Sequence, residues 1–110
     1  MQSEQYVLLR FYVHESHRLN SSPLWEWLLT SAKKMDIMGG SAFRAMAGFG
    51  AHRILHEERF FELQGSLTVE VEFIATQAQA QNLIERVSRE KVRAVYTMIP
   101  ATFGIIGPDA

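Results

Sequence analysis

Thr68-Val69-Glu70-Val71-Glu72-Phe73, followed by Thr76-Gln77-Ala78-Gln79, decides the architecture of this 110-residue chain. Leu67, Val69, Val71 and Phe73 alternate with Thr68, Glu70 and Glu72. A period of two is the mark of a strand with one face in a core. Thr76 with Gln79 three residues on is a capping box, in which a hydroxyl and an amide satisfy the first free N–H groups of a helix. Ala80, Leu83, Ile84 and Val87 then recur at helical spacing. Arg93 to Ile99 reads as a further strand, stopped by Pro100. This half of the chain is therefore β-α-β.

The same order stands upstream. Tyr6 to His14 alternates, with Val7, Leu9, Phe11 and Val13 on an apolar face and Tyr6, Leu8, Arg10, Tyr12 and His14 on a mixed one. A polar loop follows, and Ser22-Pro23 reads as a helix cap with proline at the first helical position. Trp25, Leu28, Leu29, Ala32 and Met35 form the apolar stripe of that helix. Trp27 falls on another side, as a subunit or partner contact would. Gly39-Gly40 reads as the helix end, and the segment through Gly48-Phe49-Gly50 as a short second strand.

Two β-α-β units side by side predict an α+β, ferredoxin-like β-α-β-β-α-β sandwich: one antiparallel sheet with two helices on one face. The uncovered face carries Tyr6, Leu8 and Tyr12, too much apolar surface for water. A homo-oligomer built on that face is expected, with Arg10 and Glu70 or Glu72 as charge partners. The tail, residues 100–110, holds Phe103, Ile105 and Ile106 and is too apolar to be free, so a neighbouring subunit is its expected support.

A net charge of -1 gives no basic excess for nucleic acid, and no apolar run approaches the roughly 20 residues of a membrane span. Cysteine is absent, which removes disulfides and thiolate metal sites. Residues 1–5 are polar, without a signal pattern, so a single cytoplasmic domain is expected.

Arg44 stands in a small, apolar run, Ser41 to Ala47, which implies a buried arginine needing a carboxylate, a carbonyl or a bound anion. No carboxylate lies in its own strand, which favours a ligand or a neighbouring chain. Four histidines offer an alternative, a metal-binding ferredoxin-like trimer using His14, His17, His52 or His56. His52 and His56 share a helix face, but on a strand they lie roughly 13 Å apart. Glu57 and Glu58 are adjacent and would point to opposite faces of a strand. No Ser-His-Asp or Cys-His order appears, so a small enzyme with a sheet-face site is the weakest reading and the chain is not expected to be one.

Arg10-Phe11-Tyr12-Val13, Glu15-Ser16, Pro23-Leu24, Gly40, Phe43-Arg44, Gly48-Phe49-Gly50, Ile54 and His56 together resemble the PII-like family catalogued as domain of unknown function 190. The resemblance runs from about Tyr6 to Ile99. It implies the ferredoxin-like fold already read from the pattern. It further implies a homotrimer whose inter-subunit clefts bind a small anionic ligand, an adenine nucleotide first among candidates. Residues 51–65, which by their own pattern read as a loop or as a long hairpin extending the second and third strands, would correspond to the loop that docks on a target protein. A membrane transporter or channel is the partner the resemblance suggests. In that scheme Arg44 steadies the anion, Gly48 and Gly50 let the backbone approach it, and His56 and Glu15 line the cleft. Two departures stand out. Ala45 and Ala47 occupy positions where relatives often carry Gly and Glu. The link at residues 88–92 lacks the glycine of the PII phosphate loop.

Overall fold

The computed structural model describes residues 5–48 and 67–109. Strand β1 (Tyr6–His14) is followed by two short strands, β2 (Arg18–Leu19) and β3 (Ser22–Pro23), then helix α1 (Leu24–Lys34) and strand β4 (Gly39–Arg44). Strand β5 (Thr68–Thr76), helix α2 (Gln77–Arg89) and strand β6 (Val95–Ala101) complete the chain. Sheet order is β4-β5-β1-β6, antiparallel at every pairing. With the short β2-β3 pair set aside, the four long strands in sheet order are the second, third, first and fourth of the chain. That order is consistent with the expected ferredoxin-like α+β fold.

Alternation in the two central strands decides which face is covered. Val7, Leu9, Phe11 and Val13 of β1 and Val69, Val71, Phe73 and Ala75 of β5 are buried beneath the helices. Leu24, Leu28 and Ala32 of α1 and Ala80, Leu83 and Val87 of α2 close the core from the other side. Phe11 meets Phe73 edge to face at 6.3 Å, the favoured geometry for two rings. The stripe of α1 is centred on Leu24 and Leu28, with Trp25, Leu29 and Met35 flanking it half-buried.

Helix α2 starts as its sequence indicates. Gln79 N–H donates to Thr76 Oγ1 at 3.1 Å, and Thr76 N–H donates to Gln79 Oε1 at 3.0 Å. Thr76→Ala removes the first of these bonds, and a loss of about 1 kcal/mol is expected. A urea titration would show it as a lower midpoint with an unchanged slope.

Both ends of α1 differ from the sequence reading. Ser22 makes no side-chain cap. Ser22 and Pro23 instead pair with Leu19 and Arg18, and Leu24 N–H donates to His17 O at 2.7 Å. A carbonyl from the preceding turn thus does the work expected of a hydroxyl. At the far end Asp36, not glycine, adopts the left-handed conformation at φ 62°. Asp36 N–H reaches Lys33 O and Ile37 N–H reaches Ala32 O, each at 3.1 Å, the paired bonds of a Schellman ending. Buried Ile37 then packs where this motif wants an apolar residue.

Gly39 and Gly40 therefore begin β4 instead of ending the helix. Gly40 is required by space: a Cβ there would lie 2.6 Å from the ring of Phe73. Strand β6 likewise departs from its expected bounds. It starts at Val95 and runs through Pro100, which pairs with Val7. An edge strand tolerates proline because half of its N–H groups face away from the sheet.

Candidate functional site

Three strand ends converge at one end of the sheet. His14 closes β1 opposite Thr68, and Arg44 closes β4 opposite Val69. Two backbone bonds extend the pairing past the strands: Glu15 N–H to Leu67 O at 2.9 Å and Ala45 N–H to Thr68 O at 2.8 Å. These bonds bring the Glu15 and Arg44 side chains together, with Arg44 Nε 2.7 Å from Glu15 Oε1.

This geometry corrects the expected burial of Arg44. Its side chain is 69% exposed, because β4 is an edge strand with no described residue packed beyond it. Phe43 and Met46 on either side are exposed as well. The missing carboxylate is supplied from a different element, 29 positions earlier in the chain (44 minus 15). Glu15 Oε1 is itself buried, and among the described residues no well-directed hydrogen bond reaches it. The Arg44 contact is thus a charge contact made off the N–H direction. A guanidinium has four further N–H donors on its two terminal nitrogens, which suit a carboxylate or phosphate.

Of the other expected site residues, Gly48 is exposed, and a Cβ there would touch none of the described residues. Gly50, His52, His56 and the proposed docking loop at residues 51–65 lie outside the described residues. His14 and His17 are both half-buried. His17 N–H donates to His14 O at 3.0 Å, in the same turn whose His17 carbonyl starts α1. Among the described residues no three His, Cys, Asp or Glu side chains group closely enough to hold a metal. The link at residues 88–92 contains Lys91 at φ 60°, a left-handed position closing α2.

The open face of the sheet carries a second constellation. Arg10 Nε donates to Glu72 Oε2 at 2.9 Å and lies 3.9 Å from Glu70 Oε1, as the alternation of β1 and β5 implied. Hydrogen bonding to Tyr12, then to Glu72, raises the Arg10 pKa above its usual value, so the cation persists at any physiological pH. Tyr12 Oη approaches Thr97 Oγ1 at 3.4 Å. Around this polar centre stand Leu8 and Ile74, half-buried, with Phe43, Val95 and Ile99 exposed.

Trp27 has a partner that the sequence did not reveal. The Arg86 guanidinium lies 5.6 Å from its ring centroid, a cation–π contact joining the two helices. No spacing signal links residues on different helices.

The family model for domain of unknown function 190, described as "Uncharacterized ACR", matches residues 6–102. The chain belongs to this family. It is also similar to a UPF0166 protein of Aquifex aeolicus (strain VF5), 31% identical over 80 residues that cover 73% of this chain and 76% of that one. The matched span of the family model takes in every element from β1 to β6, and so both Glu15 and Arg44. No helix among the described residues is long and apolar enough to cross a membrane.

Proposed function

We propose that this member of the family is a PII-like regulatory protein: a cytoplasmic homotrimer that senses a small anion, first of all an adenine nucleotide, in clefts between subunits. Residues 51–65 would carry the signal to a regulated protein, for which a membrane transporter or channel is the leading candidate. The observation that carries the reading is the exposed Arg44 held at Nε by Glu15, at the mouth of the segment that continues into those residues.

The chemistry follows from that pair. Without ligand, Glu15 supplies the counter-charge that an arginine at a subunit contact needs. With ligand, the terminal nitrogens take a phosphate or carboxylate in the forked geometry that lysine cannot reproduce. The anion then competes with Glu15 for one cation, and the balance shifts the segment beyond Arg44 between two arrangements. The open face supplies the trimer contact in this scheme. Its Arg10–Glu72 pair contributes little while solvated and far more to orientation once covered.

A thermal-shift panel tests the proposal, with ATP, ADP, AMP, cyclic nucleotides, 2-oxoglutarate and bicarbonate at one fixed protein concentration. A ligand at a hundred times its Kd adds about 2.7 kcal/mol, a rise in Tm of roughly ten degrees for a domain of this size. Arg44→Ala is expected to remove that rise while leaving the unliganded Tm within a few degrees, because the residue is exposed. A nucleotide shift that survives Arg44→Ala would place the anion elsewhere.

A further inference from the structure

The two edges of the sheet are unlike. Strand β6 carries Pro100 on its edge, whereas no described residue covers the outer edge of β4. Ala45 N–H points at β5, so by alternation the N–H and C=O groups of Gly40, Ala42 and Arg44 point outward. The residues there are Gly-Gly-Ser-Ala, with no charge, proline or bulge before Arg44 to blunt the edge. Beside this edge, on the helix side, runs an apolar groove of about 360 Å³ lined by Leu29, Ile37, Met38, Gly40 and Phe73.

The chain also carries a segment suited to such an edge. Phe103 packs on Tyr6 with ring centroids 5.6 Å apart, and beyond it Ile105 is 87% and Ile106 100% exposed. Two adjacent β-branched residues with no structure of their own have strand propensity and apolar surface without cover. Their own subunit's groove is poorly placed for them. Tyr6 lies on the open face and the groove on the helix face, and β4 and β6 are three strand spacings apart, roughly 14 Å.

We propose that the C-terminal segment around Phe103–Ile106 of one copy adds as a strand to the β4 edge of a second copy. One of the two isoleucines enters the groove over Phe73, opposite Gly40, and the other points to the open-face side, beside Gly39. Main-chain bonds to Gly40 and Ala42 supply adhesion, and the groove supplies register. Such a contact joins unlike surfaces and so propagates head to tail, which closes only as a ring. The inference shares with the proposed function the association of copies, and owes nothing to the nucleotide.

Absence of cysteine makes the test clean. Gly39→Cys sits where an added Cβ meets none of the described residues. It is combined with Ile105→Cys in one protein and Ile106→Cys in another, oxidised mildly and run without reductant. Cross-linked species of two or more chains are expected from one pairing and not from the other, since adjacent strand residues face opposite ways. A disulfide within a single chain, or none, overturns the proposal. Light scattering on the unmodified protein separates the two readings. An oligomer that fails to cross-link overturns only the tail exchange, whereas a monomer removes the proposed trimer as well.

Discussion

Val95→Glu and Ile99→Glu together are expected to convert the protein into folded monomers, with the mass by light scattering falling to one 12.6 kDa chain. Both residues lie on the open face of the edge strand β6, opposite Tyr12 and Leu8, and are 51% and 46% exposed in the single subunit. A glutamate at either site remains in water in the monomer, so far-UV circular dichroism should be unchanged. In an assembly closed on that face the same carboxylates are buried beside Glu70 and Glu72, with Arg10 already engaged. Each unpaired buried charge costs several kcal/mol, enough to dissociate an ordinary interface at micromolar concentration. An unchanged mass would move the interface off this face.

Phe73→Ala is expected to lower folding stability by about 4 kcal/mol, from lost burial and from the cavity left behind. Few positions carry so many roles. Phe73 is 1% exposed, packs edge-on against Phe11, and meets Gly40 where no other residue fits. Against a total of about 5–15 kcal/mol for such a domain, the loss brings unfolding within reach of physiological temperature. The coupling to Gly40 can be isolated. Gly40→Ala alone forces a Cβ into the ring and should cost about 1–3 kcal/mol, as overpacking does. In the Phe73→Ala background most of that cost should vanish, because the ring it strikes is gone and only Leu29 Cδ2, 3.3 Å away, stays close. Urea midpoints of the four proteins give the cycle.

These residues also show which features a sequence displays. Strand β1 was legible to its last residue, because alternation over nine positions has one consistent register. The capping box of α2 was legible because both halves of the device lie within four residues. The start of α1 was not, since its cap is the carbonyl of His17 and carbonyls carry no sequence signature. Its end was hidden for a different reason: Asp36 took the left-handed position while two attractive glycines stood nearby, one of them reserved for the ring of Phe73. Pro100 looked like a stop, and only the strand order shows that it lies on an edge.

The sequence pointed to Glu15 and Arg44 separately, and not to the contact between them. Glu15 and Arg44 were each expected in the cleft, yet their 2.7 Å contact depends on two backbone bonds that extend the sheet past its strands. Arg44 looked buried because its neighbours are small and apolar. On an exposed edge strand such neighbours cover nothing.

The central claim is that Arg44 is the cation of an anion sensor, and calorimetric titration of ATP into the wild-type protein and into Arg44→Ala tests it most directly. The account predicts saturable binding with one nucleotide per subunit in the wild type, and at least tenfold weaker binding in Arg44→Ala, since one lost charge-assisted bond of about 1.5–3 kcal/mol has that effect. Equal binding by both proteins, or heat from neither, would contradict it.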